Sequence, residues 1–231
     1  MRSGQLPGPE LPDLSPAAVR AKLTAYPWQE ERACLRFVPL PLATQRLPES
    51  ILDGRWKALN PRQGAVLMLF LLREDGLRIL LTERHPGLRH HAGEFSLPGG
   101  GVDQSDASKL ATALRETEEE IGLPSEAVEL WGRLDGLYVP PSNFSIVPYT
   151  GFVLDASAIK PSDPEVSRVV EFPLAALFER EAVRKEEINV YTAEFYEWQS
   201  HRVWGATARI LNNVSEVLGE PCQPWHLTHG R

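Results

Sequence analysis

The sequence predicts an α+β fold, an α/β/α sandwich with a mixed β-sheet. Residues 64–72 are a continuous apolar run of buried-strand length, and a turn at 73–76 leads into a second strand at 77–82. Amphipathic helices are predicted at 106–122 and at 205–218. Because strands and helices do not alternate regularly along the chain, we expect helices to pack on the two faces of one mixed sheet.

Residues 1–60 are predicted to be an N-terminal extension with a short helix. The start of this segment is rich in Pro and Gly, which is typical of a loose tail. Ser15 is a good N-cap and Pro16 suits the first helical position, so a helix should run from there to about Thr24 or Tyr26. Prolines then punctuate an extended segment that leads to the main domain.

The main domain is predicted at 61–221, with 222–231 as a C-terminal tail. A short strand at 93–97 delivers a glycine turn. Further strands are predicted at 128–139, 145–154 and 166–172, a short helix at 174–179, and a polar-aromatic stretch of partial alternation at 188–198.

The chain is organised around this glycine turn and the acidic helix that follows it. The turn lies at 97–103 (LPGGGVD), where glycine lets backbone amides and carbonyls approach a metal or a phosphate closely. Asp106 is a suitable N-cap for the helix. Its apolar residues Leu110, Leu114 and Ile121 recur at helical spacing, so one face should be buried.

Three glutamates lie close together on the opposite face of the helix. Glu116, Glu119 and Glu120 stand at i, i+3 and i+4, where each like-charge neighbour costs roughly 0.2–0.5 kcal/mol. The helix dipole disfavours negative charge in these last turns by a further ~0.3–1 kcal/mol each. A divalent cation reverses this balance, because clustered carboxylate oxygens are the ligands that Mg²⁺ and Mn²⁺ prefer. The alternative is a solvated, Glu-rich helix face.

Composition limits the classes of partner. The formal net charge of −7 argues against a general nucleic-acid binder, which usually has a basic stripe. No apolar run reaches the length of a membrane-spanning helix, and the two cysteines have neither disulfide-framework nor metal-site spacing. We therefore expect a cytoplasmic protein that binds neither nucleic acid nor membrane, with a homodimer left open.

The glycine turn and the acidic helix together resemble the signature of the Nudix hydrolases. That signature reads Gly, five residues, Glu, seven residues, Arg-Glu, an aliphatic, any residue, Glu-Glu, any residue, Gly, an aliphatic. The matching residues are Arg115, Glu116, Glu119, Glu120, Gly122 and Leu123. Two positions depart from it: Thr117 replaces the aliphatic residue, and the early Glu falls on Ala107, with Asp106 the nearest acid if the loop is one residue longer.

The resemblance implies a metal-dependent hydrolase of a diphosphate linked to another moiety. Glu116, Glu119 and Glu120 would hold one or more Mg²⁺ or Mn²⁺ ions, and Arg115 would orient a glutamate of its own helix. Glu119 or a downstream acid would accept a proton from the attacking water. The candidate catalytic residues are therefore Glu119, Glu120 and Arg115, and Gly99 and Gly100 are candidates for contacts with phosphate or metal.

A second set of residues resembles the coenzyme A pyrophosphatase branch of that family. It comprises 80–84 (LLTER), 88–100 (LRHHAGEFSLPGG), the Asp103 and Asp106 pair, and 202–208 (RVWGATA). Two positions differ from the pattern of that branch: Leu97 replaces its Phe, and His85 occupies a position where it usually has a small residue. This resemblance implies coenzyme A or an acyl derivative as substrate, cut to 3',5'-ADP and 4'-phosphopantetheine. The alternatives are a broader hydrolase of NADH, ADP-ribose or dinucleotides, and a non-catalytic nucleotide sensor.

Several other side chains have two interpretations each. Arg84 and Arg89 are candidate phosphate clamps, because guanidinium groups bind phosphate bidentately, or else they form salt bridges to nearby acids. His90 and His91 contact substrate or lie on the surface. Four aromatic residues either contact another molecule, by stacking on adenine or forming a dimer face, or pack in the core: Trp198, Trp204, Tyr191 and Tyr196. Candidate downstream acids are Glu165, Glu186 and Glu187.

Overall fold

The computed structural model describes residues 11–28, 40–41, 55–88, 91–179, 182–188, 191–199 and 201–219. Arg89, His90, both cysteines and the 222–231 tail lie outside these residues, as does the side chain of Tyr191. The helices are α1 (Pro16–Ala25), α2 (Lys109–Ile121) and α3 (Gly205–Leu218). Short 3₁₀ turns lie at Arg55–Leu59, Ser125–Ala127, Pro140–Ser142 and Leu174–Phe178.

The strands run in chain order from the N-terminal extension to the last helix. They are β1 (Leu40–Pro41), β2 (Arg62–Arg73), β3 (Gly76–Arg84), β4 (Phe95–Ser96), β5 (Gly99–Gly101), β6 (Val128–Arg133), β7 (Leu137–Val139), β8 (Phe144–Val153), β9 (Val166–Pro173), β10 (Val183–Ile188), β11 (Tyr191–Trp198) and β12 (His201–Trp204).

Strand β2 is the centre of the fold because both of its faces are buried. Met68 and Phe70 point into one core, and Leu67 and Leu69 point into the other. A strand covered on both faces has no polar side, which explains the unbroken apolar run in the sequence. Phe70 stacks on Trp131 with ring centroids 5.4 Å apart.

Helices cover both faces of the sheet that contains β2. The larger sheet has the order β4-β3-β2-β8-β6, with β5 also paired to β2, β7 to β8 and β9 to β3. The β2–β8 pairing is parallel. Helix α2 packs on one face of this sheet, while α1 and α3 contribute to the core on the other. A second sheet joins β1, β10, β11 and β12. The predicted α+β sandwich with a mixed sheet is confirmed.

Two element predictions need correction, and a stretch to which the sequence assigned no element forms a strand. Helix α2 is capped by Ser108, whose hydroxyl accepts a hydrogen bond from the Ala111 N–H at 3.1 Å, and not by Asp106, which binds an arginine instead. The predicted strand at 128–139 is two strands, β6 and β7. The predicted stretch at 188–198 is one arm of a hairpin, because β10 pairs with β11 along its whole length. The stop at Gly122 is confirmed, with φ 68° at that residue.

No helix in the described parts of the chain is long and apolar enough to span a membrane.

Ser108→Ala should lower the free energy of unfolding by about 0.5–2 kcal/mol, because it removes the side-chain oxygen that caps α2. Ser108→Asp keeps a capping oxygen and should stay close to the wild type. Denaturant unfolding of the three proteins measures this. Equal stability of the wild type and Ser108→Ala would contradict the cap assignment.

Candidate active site

The carboxylate of Glu116 lies directly against the glycine turn. Strand β5 pairs with the start of β2, so that Gly100 faces Ala65 and Gly99 faces Val66. A Cβ atom built on Gly100 would lie only 2.5 Å from a carboxylate oxygen of Glu116. A side chain at position 100 would therefore push this carboxylate away. Glycine is needed here for a close approach, not for an unusual backbone angle.

Glu120 is the most buried of the three helical glutamates. The Gly99 N–H donates a hydrogen bond to its carboxylate, while Oε2 is buried and has no hydrogen-bond partner among the described residues. Burial raises the pKa of Glu120 to about 8, with the nearby charge of Glu116 adding to the rise and the Gly99 hydrogen bond opposing it. An ionised Glu120 thus has a strong need for a cationic partner at Oε2.

Arg115 connects the acidic groups of the site. Its Nε and Nη2 bind Asp106 at 2.9 and 3.1 Å, its Nη1 binds Glu119 at 3.0 Å, and its Nη2 binds Glu116 at 3.0 Å. Nη2 also donates to the Gly101 carbonyl at 3.3 Å. The guanidinium thereby offsets the like-charge repulsion that the sequence spacing implies.

Asp106 holds this arginine in place. Its side chain is 4% exposed and also accepts hydrogen bonds from the Thr112 hydroxyl at 2.8 Å and from the Asp103 N–H at 2.9 Å. The Arg115 hydrogen bonds hold the pKa of Asp106 well below its usual range. Burial raises the pKa of Glu116, although Arg115 opposes that rise. The sequence identified Asp106 as the nearest acid in the loop but gave no sign that it binds Arg115.

A loop after β8 brings further charges to Glu120. The Ser162 N–H donates to the Glu120 carbonyl at 2.9 Å, and the charge of Asp163 contributes to the raised pKa of Glu120. In the same loop, Glu165 pairs with Arg84 at 2.7 Å. Arg84 therefore lies near Glu120 and also forms a salt bridge. The sequence did not predict Glu165 as its partner. Asp163 belongs to no motif or periodic pattern that could have identified it as a residue near Glu120.

The other predicted residues are distributed as follows. His91 pairs with Glu94 at 2.9 Å on an exposed turn. Tyr196 is core, 2% exposed, and Trp198 packs against that core. Trp204 is 40% exposed. Glu186 and Glu187 lie in β10 of the second sheet, where Glu186 pairs with Arg202.

The donor set fits a divalent cation in part. Within the described residues, no three His, Cys, Asp or Glu side chains already form a metal cage. The buried, unpaired Oε2 of Glu120 and the carboxylate of Glu116 at Gly100 are nevertheless hard oxygen donors on adjacent turns of α2. Glu119, whose side chain is 54% exposed, faces Arg115.

Comparison with known proteins decides the family. The model of the NUDIX domain matches residues 61–199. The chain belongs to the Nudix hydrolase family. It is 39% identical over 174 residues to the "Uncharacterized Nudix hydrolase NudL" of Salmonella dublin, a match that covers 71% of this chain and 86% of that one. The protein of the same name from Klebsiella pneumoniae is 39% identical over 171 residues, covering 70% and 85%.

Among solved structures, a MutT/nudix family protein from Enterococcus faecalis covers 77% of both chains with 19% identity and a TM-score of 0.44. Membership of the family makes this protein a pyrophosphohydrolase that acts on phosphoric anhydrides. Nudix domains take small substrates derived from nucleotides, of the type nucleoside diphosphate linked to another moiety, and generally need Mg²⁺ or Mn²⁺. These points confirm the enzyme class predicted from the sequence.

Gly100→Ala should reduce hydrolysis by about 10–100-fold while leaving the protein folded, because the new methyl group displaces the flexible end of Glu116. Gly99→Ala is the contrast. There φ is 148° and a Cβ would lie 2.4 Å from the backbone oxygen of Ala65, so the main loss should be in stability. Activity assays and thermal unfolding of both variants separate the two effects. Full activity in Gly100→Ala would contradict the placement of Glu116.

Proposed function

We propose that this Nudix hydrolase cleaves the diphosphate of coenzyme A or acyl-coenzyme A, giving 3',5'-ADP and (acyl-)4'-phosphopantetheine. Support comes from the part of the second set of motif residues that lies at the site, whereas segment 202–208 lies in β12 and the start of α3. Segment 80–84 ends β3 at Arg84, segment 88–100 ends in the glycine turn, and Asp106 holds Arg115. The proposed domain is 61–221, preceded by the 1–60 extension.

Metal-dependent cleavage of a diphosphate is supported most by one observation, the buried Oε2 of Glu120, which lies beside Glu116 and the glycine turn and has no partner among the described residues. We assign Glu116 and Glu120 as metal ligands, with Glu119 as a third once it leaves Arg115. Bound Mg²⁺ or Mn²⁺ would neutralise charge on the diphosphate and would lower the pKa of a bound water toward neutrality. It would also draw the pKa of Glu120 back down, because a cation favours the carboxylate form.

The chain's own side chains would orient substrate and accept the proton. Arg84 carries a guanidinium next to Glu120, where it can turn from Glu165 to a substrate phosphate. Its Nε is buried and has no hydrogen-bond partner in the described ranges, so it has donor capacity left for that contact. The backbone of Gly99 and Gly100 would contact phosphate or metal. Arg89 keeps its predicted role as a second phosphate clamp, although it lies outside the described residues.

A proton acceptor is available on either side of Glu120. Glu119 is the most exposed of the three helical glutamates, and its salt bridge with Arg115 orients it. Asp163 and Glu165 approach from the loop after β8. Glu119 and Glu165 are alike in exposure, 54% and 55%, and each pairs with an arginine. Because Glu119 lies on the same helix as the proposed metal ligands, it is our first assignment for the general base when it is not itself a ligand, and Glu165 is the second.

A broader activity on NADH, ADP-ribose or dinucleotides would use the same carboxylates and remains the alternative within the family. A non-catalytic sensor is disfavoured, because loss of the helical carboxylates would have supported it and Glu116, Glu119 and Glu120 are all present.

The test is a substrate panel. The wild type is incubated with Mg²⁺ or Mn²⁺ and with coenzyme A, dephospho-coenzyme A, NADH or ADP-ribose, and the products are separated by chromatography. We expect 3',5'-ADP and phosphopantetheine from coenzyme A as the preferred reaction. Preferential cleavage of NADH or ADP-ribose would reject coenzyme A and keep the diphosphate chemistry. No cleavage of any member with either metal would reject both.

A further inference from the structure

Arg62 lies beside the glycine turn and, within the part of the chain that the structure describes, pairs with no carboxylate. Its guanidinium carbon stacks 4.5 Å from the ring centroid of Phe144, its neighbour on the parallel strand β8. Among the described side chains, no acid pairs with Arg62, although the chain carries 31 acidic and 24 basic residues. Arginines that do have carboxylate partners are Arg20, Arg73, Arg78, Arg84, Arg115, Arg168, Arg184 and Arg202.

The position of Arg62 is built by its neighbours. The Arg62 N–H donates to the Asn143 carbonyl at 2.9 Å, which fixes the start of β2. The Phe144 ring fits over Gly64, where a Cβ atom would lie 2.7 Å from the ring. Stacking on an aromatic ring uses the face of a guanidinium and leaves its N–H donors free at the edges. The arrangement therefore presents a solvent-exposed guanidinium whose N–H donors are available to an anion.

This donor group is adjacent to the catalytic turn but on its other side. A Cβ atom on Gly101 would lie 3.9 Å from Arg62 Nη2, whereas a Cβ atom on Gly100 would meet Glu116. Neighbouring residues of a strand point to opposite faces, so Arg62 and the α2 carboxylates flank the turn from its two faces. An anion at Arg62 is thus close to the diphosphate site and separate from it.

We propose that Arg62 binds a phosphate monoester that the nucleotide substrate carries in addition to its diphosphate, such as a phosphate on the ribose. The inference rests on the proposed function in that it places the diphosphate at Glu116 and Glu120. Arg62 would then be a specificity residue: it selects nucleotides with this extra phosphate, and it takes no part in bond cleavage.

The experiment compares ligands that differ by one phosphate. Binding of 3',5'-ADP and of 5'-AMP is measured by isothermal titration for the wild type, Arg62→Gln and Arg62→Lys. Arg133→Gln is the matched control, because Arg133 also stacks on an aromatic ring, Trp28 at 3.7 Å, but belongs to the edge strand β6, two strands away from β2. Thermal unfolding checks that each variant is folded.

We expect the wild type and Arg133→Gln to bind 3',5'-ADP at least about tenfold more tightly than 5'-AMP, Arg62→Gln to lose this preference, and Arg62→Lys to keep part of it. A wild type without the preference, or an Arg62→Gln variant that keeps it, would overturn the inference.

A kinetic arm separates this inference from the proposed function. The ratio of kcat/KM for coenzyme A to that for dephospho-coenzyme A should fall about tenfold in Arg62→Gln and stay unchanged in Arg133→Gln. If coenzyme A is cleaved and the ratio does not move, the inference fails and the proposed function stands. If coenzyme A is not cleaved but the binding preference depends on Arg62, the substrate assignment fails and the inference stands.

Discussion

Glu120→Gln should lose at least about 100-fold in hydrolysis while the protein stays folded, because the variant keeps the shape of the side chain and removes its charge. Initial rates with Mg²⁺ and with Mn²⁺ measure the loss. Glu118→Gln is the control on the same helix, since Glu118 is exposed and outside the site. Loss of activity in both variants, or in neither, would contradict the role given to Glu120.

Glu120→Gln should also change how the stability of the protein depends on pH. The pKa of Glu120 is raised by burial from an unfolded value of 4.5 to about 8, so the folded protein binds this proton more tightly than the unfolded chain does. Between those two pH values the metal-free wild type should lose stability relative to Glu120→Gln as pH rises, by on the order of a few kcal/mol in all. Denaturant unfolding at pH 5 and pH 8 in the presence of a chelator measures this difference. A constant difference would show that Glu120 is not buried as described.

Asp106→Asn should reduce kcat by about 10–100-fold, because a neutral amide no longer holds Arg115 in its bidentate pair and the arginine then fails to position Glu116 and Glu119. Asp106→Glu should restore part of the activity, since it returns the charge. Asp155→Asn is the control, as Asp155 is an exposed loop aspartate that accepts from the Ser157 N–H at 2.8 Å.

The effect of Asp106→Asn should fall on kcat more than on KM, because Asp106 acts through Arg115 and does not face the proposed phosphate contacts. A change in KM alone, or no change at all, would contradict a positioning role.

The sequence predicted the fold wherever local patterns decide it. The apolar run at 64–72 and the helix at 205–218 were found because burial on two faces or on one helix stripe leaves a clear periodicity. The hairpin of β10 and β11 was missed in part because β10 is short, charged and paired by its partner strand rather than by its own pattern. Strand pairing is a tertiary property that a single segment does not encode.

The site was predictable to the same extent. Glu116, Glu119, Glu120 and Arg115 follow one another on a single helix, so spacing alone places them together. Asp163 reaches Glu120 from a loop more than forty residues later, and no local signal marks such an approach. The sequence also did not reveal that Asp106 binds Arg115 and does not cap the helix, because either role suits an aspartate at that position.

Mn²⁺ binding is the measurement that tests our assignment of Glu116 and Glu120 as ligands of the catalytic metal. Free Mn²⁺ is measured by electron paramagnetic resonance in titrations of the wild type, Glu116→Gln, Glu120→Gln and Glu118→Gln without substrate. We expect binding to the wild type and Glu118→Gln, and at least about tenfold weaker binding to the other two variants. Unchanged Mn²⁺ affinity in both Glu116→Gln and Glu120→Gln would contradict it.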